Sequence, residues 1–151
     1  MLWQTLSFAE LSTAQLYELL QLRVDVFVVE QSCPYPELDG KDCLPATLHL
    51  LGTDSQGKLQ AYARLVPPGV SYPELSIGRV VVAANARGQG HAQQLMQQAI
   101  AECARVWPQQ AITIGAQQYL LAFYQSFGFK CVSTGYLEDG IPHIDMRRDS
   151  L

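Results

Sequence analysis

The order of elements along the chain predicts an α/β fold, a mixed sheet with helices on its faces. Three observations carry this. An amphipathic helix stands near the start, a strand hairpin follows it, and strands then alternate with helices before a closing strand pair. Each of these faces needs an apolar partner, and a layered arrangement supplies one. With 151 residues, 48% of them hydrophobic, the chain reads as a single domain over residues 1–151 with a core of its own.

Met1–Ser7 reads as a short strand. Ser12 stands three residues before Gln15, the capping-box spacing of a helix start. Leu16, Leu19, Leu20, Arg23, Val24 and Phe27 then keep helical spacing, so the first helix is expected to end near Val28. From Glu30 to Pro45 the chain carries Pro34, Pro36, Gly40 and Pro45, which break helices and sheet ladders, and a long loop is expected there. Thr47–Gly52 and Leu59–Val66 flank the turn formers Asp54-Ser55-Gln56-Gly57 and read as a hairpin. After Pro67-Pro68-Gly69, a strand runs from Ser76 to Ala83, and its Val80-Val81-Val82 run predicts burial on both faces.

The strongest helix signal lies over Gly90–Val106, where Ala92, Leu95, Met96, Ala99, Ile100 and Cys103 form one stripe. A strand at Ala111–Ala116 and a short helix at Tyr119–Phe127 follow, the helix stopped by Gly128. Strands Lys130–Leu137 and His143–Arg148, joined around Asp139-Gly140, close the chain.

Composition narrows the function. The net charge of −4 and a pI of about 5.2 come with no basic run, which argues against nucleic acid as a partner. No apolar run approaches the roughly 18 residues that span a bilayer, so no membrane partner is expected. The four cysteines form no Cys-x-x-Cys, and Cys33, Cys43 and His49 lack compact ligand spacing, so no metal site is expected. No secretory leader pattern opens the sequence, and a cytoplasmic protein with reduced thiols is the expectation.

One turn has the makings of a binding site. Arg87, Gly88, Gln89, Gly90, His91 and Ala92 lead from a buried strand into the strongest helix. The first N–H groups of a helix lack intrahelical partners, and the helix dipole is positive there. Glycines let that backbone approach a pyrophosphate closely, and Arg87 adds a fixed charge, so the segment reads as an anion cradle. Taken alone, the window also fits an ordinary glycine turn. A dinucleotide fingerprint would need glycine where Gln93 stands, and a P-loop would need Gly-Lys-Ser/Thr.

Arg87, Gly90 and Ala92 give Arg-x-x-Gly-x-Gly/Ala after a strand and before a helix, which resembles motif A of the GNAT superfamily of N-acetyltransferases. Ala122-Phe123-Tyr124 followed by Gly128-Phe129 is similar to a later family motif. Leu22 to Gln31 and Glu138 to Ile144 resemble the ElaA-type branch, and the likeness spans essentially the whole chain. It implies a central, mostly antiparallel sheet with a splayed strand pair, helices on both faces, and acetyl-CoA as cosubstrate.

On this resemblance, coenzyme A contacts fall to Val80, Val81 and Val82, to the cradle Arg87–Ala92, and to Gln117 and Phe123. A backbone N–H near Val80–Val82 would polarise the thioester carbonyl. Tyr124 matches the family tyrosine that protonates the departing thiolate, though packing alone also explains an aromatic there. The general base is open between Glu30 and His143, and His143 could instead bridge the hairpin turn. The acceptor side is assigned to Phe27, Glu30, Tyr35, Glu37 and His143. As a group, the loop acids Glu30, Glu37, Asp39 and Asp42 favour a small cationic amine. A non-catalytic acyl-CoA sensor is the alternative, and it would need neither Tyr124 nor the acidic loop. Monomer and homodimer are both compatible with the resemblance.

Overall fold

The computed structural model describes residues 1–150. Strand β1 (Leu2–Ser7) leads to helix α1 (Thr13–Arg23), which opens on the expected box: Ser12 Oγ accepts from Gln15 N–H at 3.0 Å and Gln15 Oε1 from Ser12 N–H at 2.9 Å. The helix does not run on as an α-helix to Val28. Val24–Glu30 widens into π-helical turns, with Gln31 N–H donating to Val26 O at 3.1 Å and Cys33 N–H to Val28 O at 3.0 Å. Four valines in this stretch crowd a regular α-turn through their branched Cβ atoms.

Strands β2 (Leu48–Thr53), β3 (Leu59–Val66) and β4 (Ser76–Val82) join β1 in an antiparallel sheet of order β1-β2-β3-β4. Helix α2 (His91–Val106) follows, then β5 (Ile112–Gln117) and the short α3 (Leu121–Gln125). The expected strand 130–137 is two pieces, β6 (Lys130–Cys131) and β7 (Tyr136–Glu138); both pair with β8 (Ile141–Arg148), whose other edge holds β5. Val132 N–H crosses to Asp145 O between the pieces, at 2.9 Å, so the chain stays tethered where the ladder lapses.

The mixed sheet is therefore two antiparallel halves meeting in parallel at a single bridge. Thr113 N–H donates to Leu75 O at 3.0 Å, and Leu75 faces Ile112 there. Past that bridge β4 and β5 share no ladder among the described residues. Helices cover both faces of the first half. Leu19 of α1 packs with Tyr62 and Val81 on one face. On the other, Leu95, Met96, Ala99 and Cys103 of α2 pack with Leu65, Ile77, Ile114 and Met146. Fully burying one such leucine contributes about 1.5–3 kcal/mol. The valine run is buried on one face only, not on both as expected: Val81 is buried under α1, whereas Val80 and Val82, on the other face, are half-buried beside the gap between the strands.

Candidate active site

The gap between β4 and β5 starts from a defect in pairing. Tyr62 pairs with Val81 and Arg64 with Gly78, so two β4 residues, Arg79 and Val80, oppose the single Ala63. This bulge bends β4 away from β5. Arg79 adopts φ +53°, left-handed for a non-glycine residue. Its guanidinium is held by the loop, with Nε donating to Glu37 Oε2 at 2.7 Å and Nη2 to Glu37 O at 2.9 Å.

On the far side of the bulge the open edge of β4 can be followed residue by residue. Ala83 N–H donates to Gln60 O at 2.8 Å on the β3 side. Strand alternation then turns the backbone groups of Val82 and Val80 toward β5. Arg87 Nε donates to the Val82 carbonyl at 3.2 Å, as that orientation requires. An extended, amide-rich arm can pair with such an edge as an added strand.

A cavity of about 730 Å³ occupies the gap. Val80, Val81 and Val82 line one wall, Gln117, Phe123 and Tyr124 another. Arg87 and Ala92 stand at one end, with Phe27, Glu30, Tyr35 and His143 around the rest. Gly88, Gln89, Gly90 and His91 lie outside its lining, and Gln89 and His91 face a small depression behind it instead.

The glycine turn before α2 is left-handed at two positions. Gly88 and Gly90 sit at φ +77° and +79°, and a Cβ built on either meets nothing within 4 Å. Gly90 precedes the first turn of α2, where Gln94 N–H is the first to donate back, to Gly90 O at 3.2 Å. Ahead of it, the N–H groups from Gly88 to Gln93 have no protein acceptor among the described residues. They form a cluster of free donors at the positive end of a sixteen-residue helix.

Glu30 and His143 have different surroundings. Arg87 Nη1 and Nη2 donate to the two Glu30 oxygens at 2.7 and 3.0 Å, and this contact holds the carboxyl below its usual pKa range. His143 is 8% exposed. Its Nδ1–H donates to Ile141 O at 2.7 Å, its Nε2 lies 3.4 Å from Glu138 Oε2, and its ring stacks on Tyr136. With Nδ1–H committed to a carbonyl, Nε2 is the ring nitrogen left free to accept. The imidazole thus bridges the hairpin and faces the cavity together.

Tyr124 is 7% exposed, set edge-on to Phe123 and Phe129. Burial pushes its phenol up to about 12, so it keeps its proton at neutral pH. Its hydroxyl has no protein hydrogen-bond partner among the described residues, and Tyr124 lines the cavity.

The loop acids are where the structure departs most from the sequence reading. Glu37 and Asp42 are 4% and 5% exposed, and Glu37 does not line the cavity. The fully buried Arg23 reaches Glu37 Oε2 at 2.6 Å and Asp42 Oδ1 at 2.7 Å, while Arg64 holds both oxygens of Asp39 at 2.8 Å. Tyr35 donates to Glu37 Oε1. Three arginines thus neutralise three acids, and the group offers an acceptor no net attraction. Burial opposes the charge on Asp42 and Asp39, yet the guanidiniums of Arg23 and Arg64 hold both carboxyls below their usual range. The network fastens the loop against α1, β3 and the bulge. Its signal in the sequence was charge at core positions: Arg23 on an apolar helix stripe and Arg64 inside the apolar strand Leu59–Val66.

Other wall residues had no sequence signal. Gln31 Oε1 accepts from Gln117 Nε2 at 3.4 Å and ties the π-helical segment to β5. Cys33 Sγ donates to Asp139 O at 3.4 Å and ties the loop to the last hairpin.

The sequence family described as acetyltransferase (GNAT) domain matches residues 41–150. Protein ElaA of Escherichia coli (strain K12) is 48% identical over 147 residues, 97% of this chain and 95% of that one. The crystal structure of Escherichia coli ElaA superposes with a TM-score of 0.92 at 47% identity, covering 98% of this chain and 99% of that one. An acyl-CoA N-acyltransferase from Pseudomonas aeruginosa is similar to the same degree, with a TM-score of 0.92 at 44% identity and the same coverage.

Proposed function

The chain belongs to the GNAT acetyltransferase family, and on that premise we propose that it transfers acetyl from acetyl-CoA to the primary amine of a small acceptor. The observation that carries the reading is the splay itself. It is an open strand edge that ends, through Arg87, in a cluster of unpartnered N–H groups at the start of α2. The pantetheine arm pairs with β4, and the pyrophosphate lies on the N–H groups of residues 88–93, where only a glycine backbone permits close approach.

The thioester then lies between Val80–Val82 and Tyr124. A β4 N–H polarises its carbonyl, His143 Nε2 removes a proton from the acceptor ammonium, and the free amine attacks the carbonyl carbon. As the C–S bond breaks, the Tyr124 hydroxyl protonates the thiolate, and the second proton shed by the attacking nitrogen restores the phenol as the amide forms. Of the two candidate bases His143 is favoured, because both oxygens of Glu30 are taken by Arg87. The four cysteines are free thiols, which fits a cytoplasmic setting. Mass-spectrometric detection of an N-acetylated product after incubation with acetyl-CoA and primary amines tests the reaction. Bound coenzyme A without any acetylated amine would favour a sensor instead.

A further inference from the structure

Behind the acceptor end of the cavity lies a negative charge that the reaction above does not use. Asp145 Oδ1 accepts from Tyr72 OH at 2.9 Å and from Tyr136 OH at 2.6 Å. No cationic side chain pairs with Asp145 among the described residues, although the acids of the long loop are all neutralised by arginine. Gly115, its cross-strand partner on β5, makes the cluster possible: a Cβ there would lie 2.9 Å from Tyr72 OH and 3.1 Å from Tyr136 OH. Tyr72 and Gly115 are on the cavity wall, with Asp145 and Tyr136 behind them.

Each phenol has spent its proton on the carboxylate, so each oxygen can act only as an acceptor. An ammonium group has three donors and none to accept, the complement of this arrangement. His143 precedes Asp145 by two residues on β8 and so shares its face of the strand, about 6.8 Å away. The Tyr136 ring lies between the two, stacked on His143 and bonded to Asp145.

We propose that Tyr72 and Asp145, with Tyr136, form a subsite for a second ammonium group, so that the acceptor is a short-chain diamine. One amine reacts beside His143 and the other, still charged, anchors on the phenol oxygens in the field of Asp145. This rests on the acetyl-transfer reading for the reacting end alone.

Calorimetric titration of putrescine, a four-carbon terminal diamine, and of butylamine into the full-length protein holding coenzyme A tests the subsite. The diamine is expected to bind about tenfold more tightly, as one partly buried ion pair allows. Asp145→Asn keeps an oxygen for both phenols but removes the charge, and it should close that gap. Tyr72→Phe should narrow it. No gap in the wild-type protein, or a gap that survives in both variants, overturns the proposal. Turnover of acetyl-CoA in the same samples separates the two readings: a gap without turnover keeps the subsite and removes acetyl transfer, and turnover without a gap does the reverse.

Discussion

Arg87 holds both carboxylate oxygens of Glu30, at 2.7 and 3.0 Å, across the mouth of the glycine cradle. A carboxylate thus occupies the guanidinium that a pyrophosphate would engage. The pair is exposed, 42% and 45% for the two side chains, so its strength is modest. Glu30→Gln should tighten coenzyme A binding about two- to fivefold at low salt, with a smaller gain at high salt. Calorimetry at two ionic strengths measures this. A loss of affinity would show that Glu30 supports the cofactor rather than competing with it.

Tyr124→Phe removes a hydroxyl that bonds to no protein group among the described residues, while the ring keeps its edge-on contacts with Phe123 and Phe129. The rate of acetyl transfer should fall by about two orders of magnitude, with coenzyme A affinity and melting temperature nearly unchanged. Equal loss of binding and rate would point to a packing role.

Gly90→Asp places a carboxylate on the cradle at a residue with φ +79°. Repulsion of the pyrophosphate and strain in the turn act together. Coenzyme A binding should disappear, and surface plasmon resonance on immobilised protein would show it. Retained affinity would remove the cradle from the account.

Arg23 is wholly buried between Glu37 and Asp42. Arg23→Ala leaves two buried acids short of a partner and should cost about 3–5 kcal/mol in urea unfolding. The same network sets an acid limit. Asp39 and Asp42 carry pKa values depressed below the unfolded value, about 3.9. Their contribution to stability is therefore complete above that pH and is lost as pH falls through the folded values. Asp39→Asn should flatten the acid limb of stability against pH. An unchanged limb would assign acid unfolding to other groups.

Much of this was legible in the chain. The capping box at Ser12, the α2 stripe and the glycines of the cradle are local signals, and each specifies its element without help from the rest of the molecule. The splay was legible only through family resemblance, since no local pattern marks a missing ladder. Periodicity missed the π-helical turns at Val24–Glu30 because the switch from α to π spacing leaves no mark over two turns. The loop acids misled for a related reason. Their partners Arg23, Arg64 and Arg79 come from α1, β3 and β4, and only the tertiary fold brings them to the loop. Asp145 was hidden likewise, its two phenols arriving from a loop and from β7.

The most direct test of the central claim is thiol release from acetyl-CoA with a panel of small primary amines, run beside His143→Ala and Tyr124→Phe. Amine-dependent release in the wild-type protein is predicted, with the His143→Ala deficit shrinking as pH rises and the amine deprotonates by itself. Absence of amine-dependent release across the panel, with coenzyme A bound in the splay, would contradict it.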